Sequence, residues 1–145
     1  MYGDTAAMRK RASQLREQAT ELRSLADQLV GQMEAVGWQG RAVTDLRGRV
    51  ADRAAQLKDG AEQHETAADS LTKHAAEVER LKESIADTER SASSLVVDAR
   101  NRIARLPAGA DGVQVEAADA DRLLDQFVPP ASGHKDWLTV TLPGL

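Results

Sequence analysis

The 145-residue sequence predicts an all-α fold: an antiparallel, coiled-coil-like helical hairpin with a long second helix and a short mixed C-terminal tail. Three observations predict it. Apolar residues before Gly37 recur in alternating steps of four and three, the spacing of a coiled-coil seam. A second series of the same kind follows Arg41 and continues towards Pro107. The short sequence Gly37-Trp38-Gln39-Gly40 separates the two series, so we expect the helices to fold back on each other there.

The first helix is predicted over about residues 4–36. Asp4 or Thr5 can accept free backbone N–H groups at its start. Gly37 can supply the left-handed residue that ends many helices. The seam of this helix consists of Met8, Ala12, Leu15, Ala19, Leu22, Ala26, Leu29, Met33 and Val36.

The turn over residues 37–40 contains Trp38, for which two interpretations remain open. In one, the indole covers the end of the hairpin and packs on Val36, Val43 or Leu46. In the other, it is exposed at the bend as a recognition element, since tryptophan is enriched at binding hot spots. In both, Gly37, Trp38 and Gly40 form the hinge motif.

The second helix is predicted over about residues 41–106, a length of about 100 Å at 1.5 Å per residue. Neither glycine nor proline occurs between Gly60 and Pro107. We expect Gly60 to be a packing residue that lets the partner helix approach closely. The apolar positions are interpreted as one continuous repeat: Val43, Leu46, Val50, Leu57, Ala67, Leu71, Val78, Leu81, Ile85, Ala92, Leu95, Ala99 and Leu106.

The chain is thus divided into a hairpin over residues 1–106 and a linker with a partly ordered tail over 107–145. The linker is indicated by the proline, glycines and small residues of 107–112. A short helix is expected over 117–126. The alternation from Asp136 to Leu142 is typical of a strand, with which Val113 and Val115 could pair.

Folding the helices at the turn places Leu22 opposite Leu57 and Ala19 opposite Gly60. Once Met8 is paired with Leu71, no further residues of the first helix remain to pair with the second. An apolar stripe on the second helix beyond Leu71 is then left uncovered. Either another chain covers the stripe or the tail folds back over it. We favour another chain, with a homodimer as the simplest case. The predicted partner interface is Val78, Leu81, Ile85, Leu95 and Leu106.

The composition argues against several classes of function. The net charge of −4 comes from interspersed charges of both signs and offers no basic face for nucleic acid. The sequence has no cysteine, no phosphate-binding loop, no Ser-His-Asp order and no metal-ligand spacing, so we predict a non-enzymatic protein without a cofactor. His64 and His74 are expected on the seam, either as neutral interface residues or as a pH-sensitive pair. The N-terminus lacks the apolar core of a signal peptide, and no stretch approaches the roughly 20 apolar residues of a membrane span.

A helical hairpin with Trp38-Gln39-Gly40 at its bend resembles the WxG family of small proteins that type VII (ESX) secretion systems handle. The resemblance covers about residues 4–80. It implies homodimeric or heterodimeric four-helix bundles that are exported folded, as effectors, as carriers or as targeting domains. The family's export motif, Tyr-x-x-x-Asp/Glu after the second helix, is missing, because the only tyrosine is Tyr2. The second helix is also longer than is usual for the family, and the high Ala and Arg content would fit an actinobacterial source.

The sequence therefore predicts a WxG-like type VII secretion substrate or secretion-associated partner that acts by helix–helix dimerisation. It would be secreted without a signal peptide, or cytoplasmic before export, and paired with itself or with another helical hairpin. The alternative is a cytoplasmic coiled-coil adaptor or scaffold unrelated to secretion. A membrane-active protein whose apolar seam inserts into lipid is a further alternative, although we do not expect membrane binding.

Overall fold

The computed structural model describes residues 3–107 and 116–145, and this part of the chain is all-α, as predicted. Helix α1 spans Thr5–Ala35 and helix α2 spans Arg41–Ala104. Helix α3 spans Asp119–Asp125, and a 3-10 helix, η1, spans Lys135–Thr139. The chain forms two compact units, one up to Val78 and the other Glu79–Leu145, and α2 contributes to both. Val113, Val115 and most of the predicted linker lie outside the described residues.

The ends of α1 follow from local hydrogen bonding. Asp4 caps the N-terminus, since its Oδ1 accepts the Ala7 N–H at 2.9 Å. At the C-terminus, Val36 has extended backbone angles and its N–H donates to the Met33 carbonyl at 3.2 Å. Gly37 does not have a positive φ, so its predicted role as a left-handed terminator is wrong. The positive φ in this connection is at Gly40, at 129°, and the Gly40 carbonyl accepts the Thr44 N–H in the first turn of α2.

The contact between α1 and α2 is lined by alanine at every seventh residue. A one-carbon side chain lets the backbones approach towards the short end of the usual interhelical distance. Leucines at the neighbouring seam positions, such as Leu22 and Leu57, are half-buried. The alanines, all at most 3% exposed, are Ala12, Ala19 and Ala26 in α1, and Ala54, Ala61, Ala68 and Ala75 in α2.

The predicted seam of α2 is correct at Ala92 and Ala99, which are buried, but wrong by one residue at Ala67. Ala67 and Leu46, which it includes, are exposed, whereas Ala68 is completely buried. The spacing of the alanines indicates the buried positions, because four of them recur at intervals of seven between Ala54 and Ala75. Large residues such as Leu57 and Leu71 take the half-buried positions, because the helices are this close.

The predicted pairing of α1 with α2 is also wrong. Gly60 lies opposite Leu22, where an added Cβ would be 3.9 Å from Leu22 Cδ1, and not opposite Ala19. Farther along, Arg16 reaches Asp69 at 3.1 Å. These contacts correspond to a shift of three to six residues from the predicted pairing. The shift also means that the first turns of α2 extend past the C-terminal end of α1.

The repeat of α2 continues from one unit into the other. Residues seven apart from Val43 to Val78 are half-buried, and the same series continues through the buried Ile85, Ala92 and Ala99. The continuous repeat expected from the sequence is therefore confirmed at these positions. The fully buried position within each heptad differs: in the first unit it is the alanine three residues before each half-buried residue, as Ala54 precedes Leu57. In the second unit it is the member of the continuous series itself.

The second unit has a 3-10 helix where the sequence predicted a strand. His134 Nδ1 accepts the Asp136 N–H at 3.2 Å at the start of η1. Trp137 and Val140 then point to the same side, since residues three apart eclipse in a 3-10 helix. Leu138, which alternation assigned to the apolar face, is 44% exposed, whereas Trp137 is 2% exposed. The buried cluster of this unit comprises Ile85, Ala92 and Trp137, with Phe127, Val140 and Leu142 packed on it.

Replacing Gly48 with alanine is expected to stabilise the protein by about 0.5–1 kcal/mol. Gly48 lies inside α2, and an added Cβ would meet nothing within 4 Å. The gain comes from the lower backbone entropy of alanine in the unfolded chain. Urea denaturation followed by circular dichroism measures it. The matched control is Gly40→Ala, which should destabilise because φ is 129° there. Equal effects of the two substitutions would contradict the backbone assignment.

Candidate interaction surfaces

The connection between α1 and α2 is an extended segment held by one arginine. Arg47 Nη2 donates to the Val36 carbonyl at 3.2 Å and to the Trp38 carbonyl at 3.3 Å. Because Arg47 lies in the second turn of α2, residues 36–38 run beside the start of that helix. This is the geometry that the shifted register requires, since α2 begins beyond the end of α1.

Trp38 projects from this segment into solvent and is 71% exposed. The interpretation in which the indole covers the end of the hairpin is therefore wrong, and the exposed alternative describes its environment. Leu46, on the adjacent part of α2, is 46% exposed. The hinge thus presents a large aromatic side chain on backbone whose carbonyls are already bonded to Arg47. Burying such a side chain against a partner removes about 150–250 Å² of surface from water.

One side of the hairpin is crossed by ion pairs that fix the register. Arg23 binds Glu65 through both guanidinium nitrogens, with Nη2 donating to Oε2 at 2.9 Å. Lys58 reaches Asp27 at 3.3 Å, and Arg16 Nη2 also donates to the Thr72 hydroxyl at 3.2 Å. The hydrogen bond from Arg23 holds the pKa of Glu65 below its usual range, against a smaller opposing effect of desolvation. The same bond raises the pKa of Arg23.

Acid is expected to weaken the hairpin through Glu65. Its pKa is lower in the folded state than in the unfolded chain, so its stabilising contribution is fully present above about pH 4.3. The contribution is lost as pH falls through the lowered folded value. Glu65→Gln should reduce the melting temperature at pH 7 and flatten its decline below about pH 4.3. Melting curves from neutral to acidic pH test this, with the exposed Glu17→Gln as control. Parallel curves for Glu65→Gln and the wild type would contradict it.

The histidines do not form one site. His64 is half-buried and its Nδ1 lies 2.8 Å from the Gly60 carbonyl, one helical turn earlier. His74 is exposed, so its predicted position on the seam is wrong. His134 is in the second unit, where its Nδ1 accepts the Asp136 N–H at 3.2 Å. Within the described ranges, no group of three or more His, Asp or Glu residues is arranged to hold a metal ion.

The predicted partner stripe is covered at its start by the N-terminal residues of the same unit. Gly3 has a φ of 60°, and a Cβ on it would lie 2.8 Å from Val78 Cγ1. Because of the shifted register, the N-terminal end of the hairpin reaches Val78 instead of stopping at Leu71. Val78 is accordingly half-buried.

The rest of the stripe belongs to the second unit, where the C-terminal segment covers most of it. Ile85 is 8% exposed and contributes to the cluster with Trp137. Leu95 is half-buried beside Gly144, where an added Cβ would be 3.4 Å from Leu95 Cδ2. Leu81 is half-buried, and Leu106 is 36% exposed just after α2. The expectation that this stripe is bare within one chain is wrong; the chain's own tail folds back over it.

Polar contacts attach the C-terminal segment to α2 around this cluster. Arg102 binds Asp121 with Nη2 at 2.8 Å from Oδ1, and this hydrogen bond lowers the pKa of Asp121. Arg100 Nε donates to Asp125 Oδ1 at 3.1 Å. Near the tip of the segment, the Gly133 N–H donates to Glu89 Oε2 at 3.2 Å. These partners could not be anticipated from the sequence, since they are 19, 25 and 44 residues apart.

Trp137 is the buried side chain on which the C-terminal segment packs. Its indole Nε1 donates to the Ala131 carbonyl at 3.0 Å. Its ring meets Phe127 edge to face, with centroids 6.0 Å apart. A cleft of about 200 Å³ remains beside it, between Val97 and Pro129. That volume is below the range of about 300–1,000 Å³ typical of ligand pockets.

No helix within the described residues has both the length and the apolar character needed to cross a membrane. Comparisons of the chain with protein-family models, with curated proteins and with solved structures found no match. The resemblance to the WxG family accordingly depends on the hairpin pattern and on the residues of the hinge.

Proposed function

We propose that this protein is a WxG-like substrate or partner protein of a type VII secretion system, acting through helix–helix pairing and not through catalysis. The observation that supports the proposal most directly is the exposed Trp38 of the Trp-Gln-Gly sequence, on the connection between two packed helices. A tryptophan in that environment has no internal packing role. Its exposure is explained if a second protein buries it.

The backbone around Trp38 is well suited to recognition. Arg47 donates to both the Val36 and the Trp38 carbonyls, so two backbone groups of the segment are held against α2. Preorganised binding surfaces lose less conformational entropy on association, which improves affinity. Gly40, with its φ of 129°, then redirects the chain into α2. The three hinge residues predicted from the sequence thus lie on one short, exposed segment.

The proposed partner is another helical hairpin, either a second copy or a different chain. The half-buried leucines of the first unit support this proposal, because they leave part of an aliphatic surface beside the alanine seam. A second hairpin laid across them would complete a four-helix bundle. The leucines on this surface are Leu15, Leu22, Leu29, Leu57 and Leu71.

Export from a strain with an intact type VII system tests the proposal. The chain should accumulate in the culture medium, and inactivating the secretion ATPase should abolish this. Trp38→Ala should reduce export and partner capture severalfold while the melting temperature stays unchanged, because the indole contributes little to folding. Val128→Ala is the matched control, since Val128 is 84% exposed in the second unit. Export that does not depend on the ATPase would contradict the proposal.

A cytoplasmic coiled-coil adaptor is the second candidate. The half-buried leucine surface supports it equally well, because that surface would bind a helical partner whether or not Trp38 takes part. In this case the chain would capture a helical partner and remain in cells with a working secretion system. Trp38→Ala would leave partner capture intact, a result that distinguishes the two candidates.

A further inference from the structure

The C-terminal segment, residues 116–145, depends on α2 for its order. Its regular structure amounts to the seven residues of α3 and the five of η1. Its two well-buried side chains, Leu124 and Trp137, are each 2% exposed, and the cluster around Trp137 includes Ile85 and Ala92 of α2. Without that helix face, the segment has too little apolar surface of its own to form a core.

The helix face beneath the segment is, by contrast, a regular coiled-coil seam. Ile85, Ala92 and Ala99 are buried at intervals of seven, and Leu81, Leu95 and Ile103 are half-buried beside them. This is the same kind of pattern that α1 covers in the first unit. A pattern that suits a straight helical partner is thus covered here by an irregular segment.

The seam is complementary to itself in an antiparallel arrangement centred on Ala92. Such pairing places Ile85 of one copy against Ala99 of the other, and Leu81 against Ile103. Ile85 then faces the small Ala99, and the two large side chains Leu81 and Ile103 meet at each end of the interface. The summed charges agree with this arrangement: residues 79–91 carry four acidic and three basic side chains, whereas residues 93–105 carry one acidic and three basic side chains. In the antiparallel pair, the net positive half of each helix faces the net negative half of the other.

The contacts that hold the segment in place include an ion pair open to solvent. The Arg100 and Asp125 side chains are 56% and 48% exposed, whereas in the second pair Arg102 is 55% exposed and Asp121 is 14% exposed. Exposed ion pairs contribute little to stability. Release of the segment therefore exposes the apolar seam and separates Arg100 and Arg102 from Asp125 and Asp121.

We propose that residues 116–145 are a displaceable cover over a self-pairing surface of α2, formed by Leu81, Ile85, Ala92, Leu95, Ala99 and Ile103, and that its occupant after displacement is the same surface of a second copy. The inference rests on the proposed function, in which the protein acts by pairing with another helical chain. It adds that the partner is a second copy and that the C-terminal segment competes with that copy for the same surface.

The test uses the full chain carrying Trp38→Phe, so that Trp137 is the only tryptophan. Asp121→Arg and Asp125→Arg together repel the segment from Arg102 and Arg100 without changing α2. The emission of Trp137 should shift to the red as it leaves its buried site. Sedimentation should show a dimer with an affinity at least about tenfold higher than that of the Trp38→Phe parent. The matched control is Asp119→Arg with Asp136→Arg, which makes the same charge change at residues paired within the segment and should leave both readouts unchanged.

A further substitution locates the dimer contact. Adding Ala92→Glu to the released variant should return it to a monomer, because two glutamates would meet at the centre of the pair. Ser91→Glu, on the exposed side of α2, should not. A dimer that survives Ala92→Glu would overturn the proposal. So would a released chain, with red-shifted Trp137, that stays monomeric over about a hundredfold range of concentration.

Two other outcomes are equally decisive. If the charge changes leave Trp137 buried, Trp137→Ala releases the segment instead, and fast amide exchange of residues 137–145 in a monomer would then overturn the proposal. A wild-type dimer in which Trp137 remains buried would also overturn the proposal, because the second copy would then bind without displacing the C-terminal segment. ATPase-dependent export by a chain that never self-pairs would leave the proposed function intact and reject this inference alone.

Discussion

Replacing Trp137 with alanine is expected to destabilise the second unit by about 3–5 kcal/mol. The side chain is 2% exposed, packs on Phe127 and donates a hydrogen bond to the Ala131 carbonyl. Its loss leaves a cavity at the centre of a small cluster, and the remaining ion pairs are mostly exposed. The C-terminal segment should therefore lose its order, while α2 keeps most of its helical signal.

Amide hydrogen exchange resolved by residue measures this effect separately in each unit. Amides of residues 127–145 should exchange much faster in Trp137→Ala, and those of α1 should be unchanged. Leu138→Ala is the control, because the neighbouring side chain is 44% exposed and should cost at most about 0.5 kcal/mol. Equal protection in the two variants would show that Trp137 does not hold the segment.

Replacing Ala68 with leucine is expected to destabilise the hairpin by about 1–3 kcal/mol. Ala68 is completely buried between α1 and α2, where the close approach of the helices leaves no room for three more carbon atoms. Ala67→Leu makes the same chemical change one residue earlier, at an exposed position. Alanine and leucine both favour helices, so the comparison isolates packing.

Thermal melts of the two leucine variants decide between two assignments of the seam. The structure predicts a lower melting temperature for Ala68→Leu and little change for Ala67→Leu. The continuous repeat inferred from the sequence predicts the reverse, because it places Ala67 on the seam. The order of the two melting temperatures is therefore a direct check of the register.

The fold class could be predicted because it depends on local information. Periodic apolar residues, uninterrupted helix-forming composition and a glycine-bounded break are sufficient to indicate two packed helices. The exposed environment of Trp38 could be stated only as one of two alternatives. The sequence alone does not show that Arg47 donates to the carbonyls of residues 36 and 38, contacts that hold this segment beside the start of α2.

The pairing register required tertiary information, because seams with a period of seven can be matched in more than one way. Arg23 with Glu65 and Arg16 with Asp69 select one of them, through contacts 42 and 53 residues apart in the chain. The sequence also did not show which position of each heptad is fully buried. That position is the alanine series from Ala54 to Ala75 in the first unit and the series Ile85, Ala92 and Ala99 in the second. The difference depends on what packs against each stretch of α2.

The sequence by itself determined that this chain forms two long helices joined at Trp38-Gln39-Gly40, because helix periodicity and chain breaks are local properties. Only the tertiary structure decided what covers the second half of α2. The C-terminal segment shows no helical seam of its own, and its irregular fold around Trp137 depends on Ile85 and Ala92 being present beneath it. Neither segment alone shows this dependence. The sequence therefore predicted that another chain covers the apolar stripe, whereas the C-terminal segment of the same chain covers it.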